Sequence, residues 1–293
     1  YEIMPSLVGS EMCIRDSFIR SLEGARVADP VQACLFMRCD GVSQSVHNVI
    51  IAERDSELHV ITGCASLDIK GTHIGVSEFY VKEGATLTFT MIHSWGENVD
   101  TRPRTGVIVE EGGTFISNYI NLGTVRTLQM YPSVELRGDG ARTRLTSVIA
   151  ARGESLLDIG GKIHFASANT KGEVISRSVA MDSSKVVARG MLIGEGKNAR
   201  GHLECRGLLL SSTAEISAFP ELDARRKDVE LTHEAAVGRI TEDELYYLIS
   251  RGFSKDEATS IIVRGFMDID IRGLPKQLAA QVRRAIDLTA EGI

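Results

Sequence analysis

The sequence predicts a mainly β protein whose strands form a β-solenoid, followed by a C-terminal α-helical domain. Most of the chain is a series of short alternating segments divided by glycine turns, and near the C-terminus the apolar period changes to that of a helix. Glycine is frequent, with 28 residues of 293, whereas aromatic residues make up only 5%. A solenoid interior stacks small and branched aliphatic side chains, while a sandwich core about 10 Å thick takes larger rings. The composition therefore favours a solenoid over a sandwich.

The strands are predicted between residues 30 and 225. In ATLTFTMIH, Leu87, Phe89 and Met91 lie on one face and three threonines lie on the other, a period of two that is typical of a half-buried strand. The turn motifs EGA, EGG and GDGA separate such segments at irregular spacings. The strands therefore do not divide into individual coils on sequence alone, and the hexapeptide repeat of left-handed acyltransferases is not found.

The helical domain is predicted from residue 226 to residue 293. Thr241 with Glu244, and Ser254 with Glu257, form two capping boxes, in which a hydroxyl and a carboxylate satisfy the first free amides of a helix. We expect the first helix to stop at Gly252 and the second at Gly265, and we expect a third over residues 275–288. A short amphipathic tail of this kind either docks on its own domain or offers a face to a partner, and the sequence favours neither.

The first 29 residues are predicted to lie outside the solenoid. Within them, PSLVGSEMCIRDS resembles a translated sequencing adapter, and we expect this stretch, which includes Cys13, to contribute nothing to the fold. We therefore expect an N-terminally truncated or chimeric reading frame. The predicted domains are residues 1–29, 30–225 and 226–293.

Composition and charge exclude several classes of function. The net charge of −6 and the isoelectric point near 5.7 argue against a nucleic-acid-binding or acidic-membrane-binding face. No run of apolar residues approaches the roughly 18 needed to span a membrane, and no secretory signal is recognisable, so the cytoplasm is the expected location. The five cysteines form no C-x-x-C motif, so neither a structural zinc site nor a disulfide framework is indicated.

The adjacent His233 and Glu234 raise the question of a metal or catalytic site. A metalloprotease helix requires H-E-x-x-H, but Val237 occupies the position of the second histidine. On a strand, neighbouring side chains point to opposite faces, so this pair shares a pocket only if the chain turns there. Taken alone, the pair is more simply explained as structural.

Other candidate residues are also unremarkable when taken alone. Cys205 and Cys64 lie in apolar segments and are typical of buried cysteines, and Trp95 is typical of a packing residue. No phosphate-binding G-x-x-x-x-G-K-[ST] motif and no Ser-His-Asp arrangement is evident. A carbohydrate lyase or hydrolase on a solenoid is the remaining enzymatic alternative, but the sequence offers no convincing acid–base cluster on one strand face.

Several long stretches nevertheless resemble the SufB/SufD family of iron–sulfur cluster assembly proteins. The resemblance covers roughly residues 60–286 and is strongest in YPSVELRGDGA, in DIGGKIHFASANTKGEVISRSV and in HEAAVGRITEDELYYLISRGFSKDEATSIIVRGF. It implies a right-handed parallel β-helix core with a C-terminal α-helical domain. It also implies a scaffold for assembling and transferring clusters, which is not an enzyme in the sense of turnover.

The resemblance further implies a set of site residues. Retention of both Cys205 and Glu234 is typical of SufB-like rather than SufD-like members. The implied cluster ligands are Cys205, His233 and Glu234; the implied sulfur acceptor is Cys64; the implied tunnel-lining residues are Trp95, His93 and Arg102. Two of these depart from the family pattern, since His93 replaces a glutamine and Arg102 stands near an expected lysine.

Partners follow from the same resemblance. A SufC-type ABC ATPase is expected to bind the helical tail, and a cysteine desulfurase system is expected to donate sulfur. The tail residues implied in this contact are Asp243, Glu244, Tyr246, Tyr247, Arg251, Gly252 and Phe266. The protein is expected to form a homodimer or a SufB/SufD-like heterodimer, to carry a transient iron–sulfur cluster and to bind no nucleotide itself. The alternative is a SufD-like structural subunit that binds the ATPase or iron without carrying the cluster.

Overall fold

The computed structural model describes residues 2–7, 13–27, 29–121 and 123–268, together with the helical residues Ala280 and Arg284. The strands are β1 (Glu2–Leu7), β2 (Cys13–Arg20), β3 (Val31–Met37), β4 (Val42–Ala52), β5 (Glu57–Ser66), β6 (Gly71–Val81), β7 (Thr86–Ser94), β8 (Val99–Val109), β9 (Thr114–Asn121), β10 (Thr127–Met130), β11 (Ser133–Leu136), β12 (Arg142–Ala151), β13 (Leu156–Phe165), β14 (Lys171–Ala180), β15 (Lys185–Gly194), β16 (Arg200–Leu209), β17 (Glu215–Ala224) and β18 (Glu230–Arg239). The helices are α1 (Glu242–Ile249) and α2 (Lys255–Met267).

The strands form two parallel sheets that the chain visits alternately. The first sheet has the order β1-β2-β4-β6-β8-β10-β13-β15-β17, with β11 beside β8 and β13, and the second has the order β3-β5-β7-β9-β12-β14-β16-β18. All pairs are parallel except β1 with β2. Each coil therefore contributes a strand to each sheet, and the predicted mainly β, parallel solenoid is confirmed.

The solenoid has a regular repeat that the sequence conceals. Residues paired across adjacent coils are 27 to 31 positions apart, as in Gly106 with Ser133, Glu57 with Thr86 and Cys13 with Gln44. The expectation of irregular turn spacing was therefore wrong.

One corner of the coil explains why the repeat is hidden. At this corner the coils have a residue with positive φ. From Asp55 to Asn169 its N–H donates to a carbonyl of the next coil, as Gly84 does to Glu111 at 2.8 Å. The residues at this corner are Asp55, Gly84, Gly112, Gly140, Asn169 and Asn198. Glycine, asparagine and aspartate all tolerate the left-handed conformation, so the corner residue changes type from coil to coil.

The interior is filled by inward-pointing aliphatic side chains and a short aromatic stack. Phe79 lies between Phe89 and Phe115, with ring centroids 4.7 and 5.2 Å away, and all three rings are buried. Alternate residues of a strand point inward, and β13 shows this clearly, since buried residues alternate along it with more exposed ones. This alternation decides which side chains can reach an interior site.

The strands extend beyond the predicted end of the solenoid at residue 225. Residues 230–239 form β18, which pairs along its length with β16, and the first helix begins only at Glu242. At the other end, β2 pairs with β4, so strand structure also reaches into the first 29 residues.

The two predicted capping boxes are confirmed at Thr241 and Ser254. Gly252 follows α1 with a φ of +97°, as a helix stop requires. By contrast, α2 continues through Gly265 to Met267, because Val263 and Met267 are buried and tertiary packing outweighs the glycine's low helix propensity. The predicted third helix, 275–288, falls outside the described residues except for Ala280 and Arg284.

The two helices differ in how they contact the solenoid. In α2, Val263 and Met267 pack with Ile120, Val148 and Val179 of the second sheet, whereas none of the residues of α1 is buried. The tail therefore docks by α2 and leaves α1 exposed. Within the described residues, no helix is both long and apolar enough to cross a membrane.

Candidate functional site

Cys205 lies inside the solenoid, one coil from its C-terminal end. Its strand, β16, pairs with the terminal strand β18, and the side chain is 4% exposed among the core residues. Burial, and to a smaller extent the nearby Glu204 carboxylate, raise the pKa of this thiol to about 11. The free side chain is therefore a neutral thiol at neutral pH, and it becomes a ligand when a bound metal displaces its proton.

His233 belongs to the same interior face. It pairs with Leu203, and Ala235, two residues later, pairs with Cys205. His233 and Cys205 are thus diagonal neighbours on adjacent strands, with Cα atoms roughly 8 Å apart from strand geometry. The Nε2 atom of His233 is buried and has no hydrogen-bond partner among the described residues. A buried imidazole nitrogen in this state is available as a ligand.

Glu234 points the other way, so in the isolated chain it does not line the interior with Cys205 and His233. Its carboxylate accepts a hydrogen bond from Arg206 Nη2 at 2.8 Å on the outer face, where Arg206 also pairs with Glu204. The reason is the alternation of a regular strand, since the chain does not turn between His233 and Glu234.

Cys64 lies in a second interior pocket, near the N-terminal end of the solenoid. Cys64 on β5 pairs directly with His93 on β7, and both side chains are buried. The indole of Trp95, also buried, lies against His93 with ring centroids 5.3 Å apart. The structure thus places three of the predicted residues of the sulfur route in one pocket.

His73 completes this pocket, although sequence reasoning missed it. It lies on β6, in the opposite sheet, with its ring centroid 4.8 Å from Trp95 and 6.0 Å from His93. Burial lowers the pKa of His73 to about 4 and that of His93 well below its usual value, so both imidazoles are neutral. The signal that could have found it is the alternation of β6, in which His73 has the inward parity of the buried Phe79.

The thiol of Cys64 is strongly shielded from water. Burial, followed by the neighbouring Cys34, raises its pKa to about 12. Because the thiolate is the reactive form of a cysteine, the Cys64 side chain reacts as a nucleophile only where a neighbouring group stabilises its anion.

Arg102 lies on the outer surface of the coil, so its assignment to a tunnel lining was wrong. Its Nη1 donates to Thr127 Oγ1 at 2.8 Å, and the inward positions of β8 are those of Thr101 and Pro103. Because successive side chains of a strand point to opposite faces, Arg102 points away from the interior.

A row of hydroxyl-bearing side chains runs between the two interior sites. Along the second sheet, Tyr119, Ser147, Ser176 and Cys205 occupy paired positions on successive strands. Tyr119 Oη lies 2.9 Å from His93 Nδ1 at the start of this row. A cavity of about 30 Å³ lies beside Tyr119 and Ser147, which is room for about one water molecule.

The exposed helix α1 carries most of the residues expected to contact an ATPase. Tyr246 and Tyr247 are 63% and 59% exposed, and Arg251 lies over the Tyr247 ring at 4.9 Å. Glu244 is occupied in the capping box, where it accepts from the Thr241 amide at 2.9 Å. The remaining predicted contact residues are placed as follows: Asp243 is exposed on α1, Gly252 follows α1, and Phe266 is a half-buried residue of α2.

Comparison with known proteins decides the family. The family model described as "SUF system FeS cluster assembly, SufBD core domain" matches residues 36–266. The chain belongs to the SufBD family. The match covers the strands from β4 to β18, both interior sites and α1, so the SufBD resemblance inferred from sequence is confirmed.

Curated SufBD relatives align over most of the chain. A protein of Archaeoglobus fulgidus named iron-sulfur cluster assembly SufBD family protein is 50% identical over 272 residues, which cover 92% of this chain and 73% of that protein. A Methanothermobacter thermautotrophicus protein of the same name is 46% identical, covering 94% and 68%. The iron-sulfur cluster assembly protein SufB of Bacillus subtilis is 30% identical, covering 94% and 60%.

Proposed function

We propose that this SufBD protein is a scaffold subunit on which an iron–sulfur cluster is assembled and then transferred, with Cys205 and His233 as its ligands from this chain. The observation that supports it is the partnerless Nε2 of His233 on the same interior face as the buried Cys205 thiol. Thiolate and imidazole both bind cluster iron. A mixed set of this kind holds a cluster less firmly than four thiolates, as transfer requires.

The remaining ligands have to come from across the end of the solenoid. Strands β17 and β18 are edge strands in the described chain, and Phe219, Leu222 and Val237 are exposed there. Unpaired strand edges and clustered apolar side chains favour docking of another chain. We therefore propose a homodimer or a SufB/SufD-like heterodimer that joins at this end, with the solenoid wound in the right-handed sense of the family.

Sulfur is proposed to reach the cluster from Cys64, after donation by a cysteine desulfurase system. The row from Tyr119 through Ser147 and Ser176 to Cys205 marks the path. Five strand spacings separate Cys64 from Cys205, or roughly 24 Å, so a relay or a diffusing sulfur species is required.

A SufC-type ABC ATPase is proposed to bind α1, since its exposed tyrosines and acidic first turn are not used in packing. The nucleotide would then belong to that partner, and the SufBD chain itself acts as a scaffold rather than as an enzyme. Cys34, Cys39, Cys64 and Cys205 are free thiols, in keeping with a reducing compartment, and we propose the cytoplasm.

The position of Glu234 favours one alternative. Because its carboxylate is held by Arg206 on the outer face, Glu234 does not lie beside Cys205 in the single chain, although both residues are retained in the sequence. A SufD-like subunit that binds the ATPase or iron without carrying the cluster is therefore the second candidate.

The scaffold proposal is tested by anaerobic reconstitution with iron and sulfide. We expect Cys205→Ala to lose most of the bound iron and acid-labile sulfide, because no other described thiol lies beside His233. The matched control is Cys39→Ala, which removes an exposed thiol and should leave the loading unchanged. Equal loading of the wild type and Cys205→Ala, with both folded by circular dichroism, would favour the SufD-like alternative.

A further inference from the structure

Three metal-ligating side chains converge in the Cys64 pocket. One ligand atom each from Cys64, His73 and His93 lies within 4.8 Å of the other two, and all three residues are buried. They come from β5, β6 and β7, so the two sheets of the solenoid both contribute. This arrangement does not depend on the cluster site proposed at Cys205, which lies five strands away.

Hydrogen bonds fix the orientation of both imidazoles. His73 Nδ1 lies 2.9 Å from Gln44 Oε1, and Gln44 is itself buried; a carbonyl oxygen only accepts, so Nδ1 carries the proton. The Nε2 of His73 then keeps its lone pair. In most metal sites the ligating histidine donates its other N–H to a neighbouring oxygen in this way.

His93 is arranged similarly. Its Nδ1 is bonded to Tyr119 Oη at 2.9 Å, and its Nε2 is buried without a hydrogen-bond partner among the described residues. An imidazole that is fully buried and leaves one nitrogen unsatisfied costs free energy unless a further ligand occupies that nitrogen.

We propose that Cys64, His73 and His93 bind one divalent transition-metal ion of the first row, such as Fe²⁺ or Zn²⁺. One thiolate and two imidazoles form a borderline-soft ligand set that suits these ions and not Mg²⁺ or Ca²⁺. With bond lengths of about 2.0–2.3 Å, tetrahedral ligand atoms lie roughly 3.3–3.8 Å apart. The side chains therefore close around the ion by about 1 Å.

Three protein ligands leave the fourth tetrahedral position open. Metal sites with three protein ligands bind an exchangeable water or substrate at the fourth position, whereas structural zinc sites use four protein ligands. Trp95 covers the group, with its ring 4.8 Å from that of His73, and excludes bulk solvent. The ion would also hold Cys64 as the thiolate, which is the form that reacts with sulfur.

Anaerobic titration with Co²⁺ tests the site directly, because cobalt bound to thiolate gives a charge-transfer band in the near ultraviolet. The full chain is expected to bind one equivalent with this band. Cys64→Ser should abolish the band, and His73→Gln and His93→Gln should each weaken the affinity by about tenfold or more. Gln44→Leu, which removes only the orienting oxygen, should weaken it by about tenfold.

The matched controls are His59→Gln and Cys205→Ala. His59 is bonded to Thr90 at 3.2 Å and has the outward parity of β5, so its loss should leave cobalt binding unchanged. Cys205→Ala should also retain the band, which separates this site from the proposed cluster site. The proposal is overturned if the wild type shows no thiolate band, if the His73 and His93 variants bind as the wild type does, or if Cys205→Ala alone removes it.

Discussion

Gly160→Ala is expected to lower the free energy of unfolding by about 3 kcal/mol or more, or to prevent folding. A Cβ atom at Gly160 would lie 2.0 Å from the carbonyl oxygen of Arg189, the residue paired with it on β15. Because the clash is with backbone, it can be relieved only by parting two strands of the first sheet. Urea denaturation followed by circular dichroism measures the change.

The control for this effect is Gly106→Ala in β8 of the same sheet. A Cβ atom there meets nothing within 4 Å, so the free energy of unfolding should change by no more than about 1 kcal/mol. If both variants unfolded at the same urea concentration as the wild type, the close approach of β13 and β15 would be contradicted.

Tyr246→Ala is expected to weaken binding of a SufC-type ATPase by about 30-fold or more, the effect of losing an aromatic hot spot worth at least about 2 kcal/mol. The side chain is 63% exposed on a helix that buries none of its residues. Its removal should therefore leave the stability of the SufBD chain unchanged. Isothermal calorimetry with the purified ATPase measures the affinity.

Leu156→Ala provides the comparison, since Leu156 is also exposed but lies on β13 of the sheet that α2 does not cover. It should bind the ATPase like the wild type. Wild-type affinity in the Tyr246 variant would exclude α1 as the docking surface.

The fold class was predictable from sequence, but the individual coils were not. Alternation in β7 and the capping boxes at Thr241 and Ser254 are local patterns that a reader can recognise. The repeat of 27 to 31 residues was hidden because its corner needs only a positive φ, which Asp55, Gly84 and Asn169 provide equally. The last strand, β18, was taken for part of the helical domain because, at the end of the solenoid, it has no fully buried residue and shows no clear apolar alternation.

The candidate sites depended on long-range register, which sequence reasoning could only partly supply. Strand parity correctly separated His233 from Glu234, and the same rule would have placed Arg102 outside. His73 was missed because it reaches the pocket from the opposite sheet, and nothing in the local sequence pairs it with His93. Only the closed coil brings these side chains together.

The most direct test of the scaffold proposal is whether His233 ligates the cluster. We would reconstitute the wild type and His233→Gln with iron and sulfide, reduce both anaerobically, and record pulsed electron paramagnetic resonance spectra. The proposal predicts a strong coupling to a histidine nitrogen in the wild type that disappears in His233→Gln, while the thiolate signature of Cys205 persists. A wild-type cluster without nitrogen coupling, or a coupling that survives the substitution, would show that His233 is not a ligand and contradict the proposed site.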